Sequence, residues 1–232
     1  MKPQLSIIIP TLNEEENIFK LYYKIKKYLK NKSYEIIFVD DKSSDNTKRR
    51  ILTLKSQYSN VHAIFRKERN LSTAFLDGAR LAQGKFTVLM DSDLQHSPVD
   101  INKMLYLINN SNYDFVIGSR FLKNSTCKTA TIISKIRIIL SKFMVLVISF
   151  FFKIKIKDPL SGFFICKKES LKNSKKLYKK GFKILLDYLI SKNTLKTREI
   201  SITMNKRVHG NSKLNVKIIF EFIKQCNFYL CR

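Results

Sequence analysis

The chain has 232 residues, 44% of them hydrophobic, so it can bury the core of one compact domain and is short for two. Lysine and arginine outnumber aspartate and glutamate by 44 to 18, and the formal charge of +26 would attract nucleic acid, anionic lipid and phosphorylated substrates alike. The charge alone therefore indicates no particular function, because a general bias of the composition towards lysine would also explain the excess of basic residues. The four cysteines form no C-x-x-C pair, which argues against a zinc site and predicts reduced thiols in the cytosol.

Four short apolar runs in the first half are predicted strands, and helical patterns separate them. Each run is apolar at consecutive positions, which is typical of a parallel strand buried on both faces. The helix before the fourth strand is predicted over Thr73–Gln83. This alternation predicts an α/β fold with a mostly parallel central sheet and right-handed crossovers. The four strands are predicted at Leu5–Ile9, Glu35–Val39, Val61–Phe65 and Phe86–Met90.

Polar residues follow three of these strands where each strand ends. They are Pro10–Thr11, Asp40–Asp41 and Asp91–Asp93. Ligands of open parallel sheets bind beyond the carboxyl ends of the strands, so we expect the three segments to border one crevice.

The second half is less regular, and it contains no linker or repeat that would mark a second domain. We therefore expect a single domain over residues 1–232. The predicted features are a strand at Asp114–Gly118, a basic apolar stretch at Ile132–Ile156, a turn at Asp158–Gly162, a helix around Phe182–Ile190, a strand at Glu199–Met204 and a last helix from Val216 to Leu230.

The longest apolar run is Phe143–Phe152, flanked by Lys142 and Lys153. Ten helical residues span about half of a bilayer core, so we expect no transmembrane helix here. The run is either part of the core or an interfacial helix, because flanking basic residues favour anionic lipid. Ser6–Pro10 is too short for the apolar part of a signal peptide, so none is expected.

Asp91 and Asp93 lie two residues apart at a predicted strand end, with Gln95 two residues further on. Two carboxylates this close are costly unless a cation lies between them. Hard oxygen ligands suit Mg²⁺ or Mn²⁺ bridging a diphosphate, although two acids on a loop are often merely solvated. Asp41 is either a ligand of a nucleobase or ribose, or a turn residue that caps a helix.

Four cations have polar neighbours that set them apart from the other basic residues. Arginine suits bidentate phosphate contacts. Each of the four is either a phosphate ligand or an ordinary surface cation, and they are Arg120, Arg137, Arg207 and Lys213.

The motifs in chain order resemble the family 2 glycosyltransferases, from about Leu5 to about Phe222. The strings IPTLNE, VDDKSSDNT, MDSDLQH and GSR carry the general resemblance. The strings DPLSGFF, GFKIL and RVHGNSKL are similar to the branch that contains dolichol-phosphate mannose synthase and its bacterial polyprenyl-phosphate relatives. Three positions differ from common family residues: Asn70 replaces a glycine, Ser97 replaces a proline and Asp187 replaces a glutamate.

The resemblance implies a GT-A (Rossmann-like) fold, with a nucleotide-sugar half at about 5–125 and an acceptor and membrane-facing half at about 126–232. It implies Asp93, Arg120 and Arg207 as catalytic residues, and Mg²⁺ or Mn²⁺ as cofactor. The implied metal ligands are Asp91, Asp93 and Gln95, and the implied acceptor-phosphate ligands are Arg120, Arg137 and Ser141. The implied nucleotide-sugar residues are Pro10, Thr11, Glu14, Val39, Asp41, Asp91, Ser92, Asp93, Gln95, Arg207 and Lys213.

The resemblance further implies transfer of a sugar, with mannose from GDP-mannose favoured, onto dolichyl or undecaprenyl phosphate. A lipid phosphate is already an anion, so the site needs cations to position it more than a base to activate it. Direct displacement would invert the anomeric carbon. Such an enzyme would associate peripherally with the cytoplasmic face of a membrane, alone or through an anchoring subunit.

Two other functions stay open at this point. The chain would be a family 2 enzyme that uses UDP-glucose or a similar donor for cell-surface glycans, although the Q-x-x-R-W motif of processive synthases is absent because there is no tryptophan. Alternatively, its charge would make it a non-enzymatic binder of membranes or nucleic acid. We expect no nucleic-acid partner, because regularly spaced stacking aromatics are not evident.

Overall fold

The computed structural model describes residues 2–128, 132–172, 177–178, 181, 183–192, 194–206 and 216–231, with the backbone alone for 132–137 and 216–219. The strands are β1 (Leu5–Thr11), β2 (Tyr34–Asp40), β3 (Val61–Phe65), β4 (Phe86–Leu89), β5 (Phe115–Ser119), β6 (Thr126–Cys127), β7 (Phe164–Lys167), β8 (Thr197–Ser201) and β9 (Thr203–Met204). The helices are α1 (Glu15–Tyr28), α2 (Thr47–Gln57), α3 (Leu71–Leu81), α4 (Pro98–Asn110), α5 (Ile132–Phe152), α6 (Ile184–Ser191) and α7 (Val216–Leu230).

Seven strands form the central sheet, in the order β3-β2-β1-β4-β7-β5-β8. All neighbours pair in parallel except β7, which runs antiparallel between β4 and β5. Strands β6 and β9 form a separate parallel pair. The predicted α/β class with a mostly parallel central sheet is therefore confirmed.

The alternation of side chains along the strands explains why both faces of the sheet are apolar. Ile7 and Ile9 pack into the core beneath α1, α2 and α4, whereas Ile8 points to the opposite face with Val39 and Phe75 of α3. Successive strand residues face opposite sides, so covering both sides with helices requires uninterrupted apolar runs. This arrangement leaves the strand ends as the natural place for polar groups.

Helix α3 begins at Leu71, two residues before its predicted start, because Asn70 caps it. The Asn70 Oδ1 atom accepts a hydrogen bond from the Thr73 backbone N–H at 2.9 Å. Asparagine is among the strongly preferred N-cap residues. The departure from the family glycine at this position thus has a local structural role.

Three of the labelled elements were not predicted: helix α4, strand β7 and the two-residue strand β6. Helix α4 begins at Pro98, a residue whose fixed φ suits the first helical turn. Strand β7 has only four residues, and its apolar run directly follows the turn at Asp158–Gly162. Among the described residues, no helix is long and apolar enough to cross a bilayer.

Candidate active site

The ends of β1 and β2 lie side by side, as predicted for the nucleotide residues. Pro10 pairs in register with Val39, and Thr11 pairs with Asp40. The Asp41 backbone N–H donates to the Thr11 carbonyl at 2.9 Å, which extends the pairing past the last strand residue. Val39 is fully buried and its carbonyl accepts from Thr11 Oγ1 at 3.5 Å, so its contact with a nucleotide stays a prediction.

The Asp41 carboxylate is held by groups from the β3–α3 connection. Its Oδ1 lies 2.5 Å from Arg66 Nη1, and its Oδ2 accepts from the Asn70 N–H at 2.9 Å. Arg66 also pairs with Asp77 at 3.0 Å. Burial raises the pKa of Asp41, and the contacts with Arg66 and Asn70 oppose that shift. Asp41 therefore anchors this connection to β2, and its contact with a nucleotide stays a prediction.

Glu14 lies at the start of α1, in the loop that follows β1. Its backbone N–H donates to Thr47 Oγ1 at 2.8 Å, and its Oε2 accepts from Asn17 Nδ2 at 2.7 Å. Asn13, just before it, has a φ of 54° and accepts a hydrogen bond from the Ser44 N–H. These contacts fix the loop beside the end of β2, which brings Glu14 to the same edge as Thr11 and Asp41.

The three residues Asp91–Asp93 follow β4 and differ in exposure. Ser92 and Asp93 are buried, whereas 41% of the Asp91 side chain is exposed. Asp93 Oδ1 accepts the Gln95 N–H at 3.0 Å, and Gln95 Nε2 donates to the Asn205 carbonyl at 3.3 Å. The loop is thus tied to the chain just after β9, and Asp91 is the carboxylate that can reach a ligand most easily.

The surroundings of Asp91 fit a divalent cation. A Cβ built on Gly162 would lie 3.3 Å from Asp91 Oδ2, so the glycine leaves room for that carboxylate. Buried His96 Nδ1 lies 3.8 Å from the same oxygen and finds no hydrogen-bond partner among the described residues. An unpartnered buried nitrogen beside a carboxylate is an arrangement that a bound cation can satisfy.

The predicted metal set contains two carboxylates and the amide of Gln95. No group of three or more His, Cys, Asp or Glu side chains able to hold a metal occurs in the described ranges. Magnesium is usually bound by one or two carboxylates together with substrate phosphates and water. The donor set present is of that kind, so Asp91, Asp93 and Gln95 could hold such an ion, and their role as its ligands stays a prediction.

Arg120, at the end of β5, is fixed by a bidentate ion pair with Asp158. Its Nε and Nη2 donate to the two Asp158 oxygens at 2.8 and 2.7 Å, and its backbone N–H donates at 2.9 Å. Asp158 is fully buried. Burial lowers the pKa of Arg120, but Asp158 raises it more, so the net shift is upward and the guanidinium stays charged. The DPLSG motif is apparent in the sequence, but no role was predicted for its first residue, Asp158.

A cavity of about 90 Å³ lies where the ends of β4 and β5 meet the DPLSG loop and the start of α6. Its lining includes Asp91, His96, Arg120, Ser161 and Lys183. Strands β4 and β5 are separated in the sheet only by β7, so the topology itself brings the carboxylate and the guanidinium together. Lys183 was also missed, because no residue of the GFKIL string had been given a role.

The predicted acceptor residues lie on or near α5. Phe121 lies under Arg120, with 5.0 Å from the guanidinium carbon to the ring centroid, and Lys142 Nζ lies 5.9 Å from the same ring. Ser141, next to Lys142 on α5, is partly exposed. The middle of α5 is therefore close to Arg120. The side chain of Arg137 and all of Arg207 and Lys213 lie outside the described residues.

A larger groove, of about 830 Å³, lies at the opposite edge of the sheet, where β1 and β4 begin. Its charged lining is mostly basic and includes Arg80, Lys85, Lys167 and Lys168, with Glu169 as the acid. Arg80 in this groove is paired with Asp77 but its side chain is 70% exposed, whereas Arg120 of the smaller cavity is 19% exposed and paired with Asp158, so we assign the candidate active site to the smaller cavity.

Comparison with known proteins agrees with the fold and the motifs. The chain is similar to dolichol-phosphate mannosyltransferase from Pyrococcus furiosus, with 40% identity over 95% of this chain and 62% of the relative. The enzyme of the same name from Saccharomyces cerevisiae is 31% identical over 97% of this chain and 86% of the relative. The chain thus spans somewhat less than two thirds of the archaeal relative's length.

Among solved structures, glucosyl-3-phosphoglycerate synthase from Mycobacterium tuberculosis, crystallised with Mn²⁺, UDP and glucosyl-3-phosphoglycerate, matches with a TM-score of 0.70. The match covers 97% of this chain and 80% of that one at 17% identity, so it confirms the GT-A type of fold and no more. The family model described as "Glycosyl transferase family 2" matches residues 6–174. Because that match covers more than half of the sequence, the chain belongs to glycosyl transferase family 2.

Proposed function

We propose that this protein is an inverting glycosyltransferase that moves mannose from GDP-mannose to dolichyl or polyprenyl phosphate. The observation that carries the proposal is the meeting of Asp91 and Arg120 at one small cavity. A carboxylate there suits the metal-bound diphosphate of a donor, and a fixed guanidinium suits the phosphate of an acceptor. The names of the archaeal and yeast relatives support the choice of sugar and lipid.

On the donor side, Asp91, Asp93 and Gln95 would hold Mg²⁺ or Mn²⁺. Such an ion, when bound, neutralises charge on the departing nucleoside diphosphate. The backbone at Pro10, Thr11 and Val39, with the side chains of Glu14, Asp41 and Ser92, would line the nucleotide. By family resemblance, Arg207 and Lys213 would contact the donor phosphates.

On the acceptor side, Arg120 would bind the lipid phosphate, together with Arg137 and Ser141 by resemblance. Asp158 occupies Nε and Nη2 of Arg120 and so orients the guanidinium before substrate arrives. A phosphate monoester is mostly dianionic near pH 7, so an oxygen can attack the anomeric carbon without a general base. The new C–O bond forms as the bond to the diphosphate breaks, which inverts that carbon. Asp93, Arg120 and Arg207 are thus the residues proposed for catalysis.

The outer face of α5 supports contact with a membrane surface or with the prenyl chain. Lys142, an exposed basic side chain, lies on the same helix. Helices that combine an apolar face with basic residues lie at the interface of anionic bilayers. We therefore place the protein peripherally on the cytoplasmic face of a membrane, alone or with an anchoring subunit. The exposed apolar side chains of α5 are Ile139, Leu140, Phe143, Leu146, Val147, Phe150 and Phe151.

The test is transfer of radiolabelled sugar from GDP-mannose to polyprenyl phosphate with Mg²⁺ or Mn²⁺, using wild type and Asp93→Ala. We expect a labelled lipid from wild type and a loss of at least about 100-fold in Asp93→Ala, because removal of one group that stabilises transition-state charge typically costs that much. Glu169→Ala is the matched control, since Glu169 lies at the opposite edge of the sheet.

Each alternative outcome has a defined meaning. Product from UDP-glucose but not from GDP-mannose would keep the reaction and change the donor. The lipid acceptor would be refuted if wild type made no lipid product from either donor. Salt-sensitive binding of nucleic acid without metal would instead support a non-enzymatic role.

A further inference from the structure

Lys183 is a partly buried cation that faces the active-site cavity. It directly precedes α6, and its side chain lines the cavity with Asp91 and Arg120. Its Nζ donates to the Leu160 carbonyl at 2.9 Å, which uses one of the three ammonium hydrogens. The Lys183 side chain therefore lies in the cavity beside the DPLSG loop, and its hydrogen bond to the Leu160 carbonyl holds it there.

The charges around the cavity are not balanced at Lys183. Arg120 is matched by Asp158, whereas Lys183 forms no ion pair within the described part of the chain. Burial lowers the pKa of Lys183 to about 8, the nearby charge of Arg120 lowers it too, and Asp91 and Asp158 oppose the shift. Two neighbouring cations in a poorly solvated site repel each other, and an anion bound between them would remove that cost.

The position of Lys183 is also fixed from α7. Gln225 Nε2 donates to the Lys183 carbonyl at 3.2 Å and to Asp187 Oδ1 at 2.7 Å. Gly181 lies so close to Gln225 that an added Cβ would come within 2.5 Å of its Oε1. A side chain held at both its backbone and its tip is preorganised, which lowers the entropy lost when it binds a ligand.

We propose that Lys183 binds a phosphate oxygen of a substrate in this cavity, as a second cation beside Arg120. The inference rests on the proposed function for the identity of the substrate, but the cavity and its charges stand without it. The phosphate belongs either to the prenyl phosphate acceptor or to the nucleoside diphosphate of the donor. Both present the same oxyanion chemistry, and the experiment below separates them.

The test compares Lys183→Met, Lys183→Gln and Lys183→Arg with wild type. Glutamine keeps a donor for the Leu160 carbonyl without the charge, and arginine keeps the charge. Lys192→Met is the matched control, because Lys192 at the other end of α6 also donates to backbone carbonyls, those of Ser170 and Lys172 at 2.7 Å, but does not line the cavity. Thermal unfolding of each variant shows which are folded.

Two measurements distinguish the sources of the phosphate: the KM for geranyl phosphate in the transfer assay, and the Kd for GDP or UDP with Mn²⁺ by calorimetry. Loss of the charge is expected to weaken one of them by roughly 10- to 100-fold, the range for a charged hydrogen bond. A higher KM for geranyl phosphate with an unchanged nucleotide Kd assigns Lys183 to the acceptor, and a higher nucleotide Kd assigns it to the donor. Lys183→Arg and Lys192→Met should stay within about threefold of wild type.

Failure of this inference differs from failure of the proposed function. If wild type transfers no sugar to lipid, calorimetric binding of geranyl phosphate and of the nucleotides still shows whether Lys183→Gln weakens an anion site. The inference is overturned if the folded Lys183→Met and Lys183→Gln variants bind every one of these probes as tightly as wild type does.

Discussion

The proposed donor and acceptor sides of the candidate active site are built by different means. On the proposed donor side, Thr11 ends β1, and Asp41 and Asp91 lie just beyond β2 and β4, whose backbones pair in register with β1. Short polar contacts tie these loops. On the acceptor side, α5 buries Val145 and Ile148 against Leu160 and Leu186 of a small cluster. Most of the remaining large apolar side chains of α5 stay exposed.

This difference fits the ligand that we propose for each side. A nucleotide and its metal demand fixed oxygen positions, which a hydrogen-bonded sheet edge provides. A long, variable prenyl chain demands apolar area rather than fixed positions, and an exposed helix face provides it. Asp158 ties the loop after α5 to the sheet, because it fixes Arg120 at the end of β5 and its backbone N–H donates to Glu199 of β8 at 2.9 Å.

The largest expected effect comes from removing the Arg120–Asp158 ion pair in the variant Asp158→Ala. The change removes the ion-pair partner of Arg120, whose side chain is only 19% exposed. Removing one partner of a buried ion pair costs about 3–5 kcal/mol, so the free energy of unfolding in urea should fall by that amount. Sugar transfer should fall as well, since Arg120 loses its orientation.

Asp158→Asn is the companion variant, because it keeps a hydrogen-bond acceptor for the guanidinium and should lose less stability. If the free energy of unfolding fell by less than about 1 kcal/mol in Asp158→Ala, Arg120 would have found another partner, and its ion pair with Asp158 would not be what stabilises the fold.

A second prediction concerns the anchoring of α7 through Asp187 on α6. The Asp187 carboxyl accepts from Gln225 and Tyr229 of α7, and burial raises its pKa from 3.8 to about 7 against those hydrogen bonds. Because its pKa is higher in the folded than in the unfolded state, Asp187 contributes its full stabilisation below about pH 4. That contribution is lost as the pH rises through about 7. Wild type should therefore lose on the order of 2–4 kcal/mol from this group between those pH values.

The measurement is urea denaturation at several pH values from 4 to 8. Asp187→Asn should show a flatter pH dependence, because the amide does not titrate. Asn110→Ala, which removes an exposed amide on α4 that does not titrate, is the control and should keep the wild-type pH dependence. Equal slopes for wild type and Asp187→Asn would contradict the assignment.

The smallest expected effect concerns the apolar face of α5. Phe150 is 79% exposed, so Phe150→Glu should leave stability unchanged and weaken binding to anionic liposomes roughly tenfold, measured by flotation. Leu52→Glu on α2 is the matched control, since Leu52 is 43% exposed on the sheet side. Equal flotation of the two variants would mean that α5 does not contact the bilayer.

The donor side could be predicted from the sequence to a large extent. The apolar runs located β1 to β4, and their order predicted which loops would meet, so Thr11, Asp41 and Asp91 were expected at one edge. The acceptor side could be predicted less well. Asp158 and Arg120 are separated by 38 positions, and no local pattern shows that they pair.

Lys183 and Arg66 illustrate the same limit. In a chain with 44 basic residues, composition cannot show which cations face a site and which face solvent. Arg66 proved to be the partner of Asp41, and Lys183 proved to line the cavity. Both assignments depend on contacts between segments that are distant in sequence. Such contacts form only when the chain folds, so the sequence alone does not reveal them.

The amino-acid sequence by itself determined the family, the α/β class and the position of the Asp91–Asp93 motif at a strand end, because hydrophobic periodicity and short motifs are local properties. Only the tertiary structure decided that β7 enters the sheet antiparallel between β4 and β5, that Asp158 pairs with Arg120 and that Lys183 lines the same cavity. The physical reason is that strand order and ion pairing depend on which distant segments bury each other, and sequence spacing does not encode that choice in any local pattern.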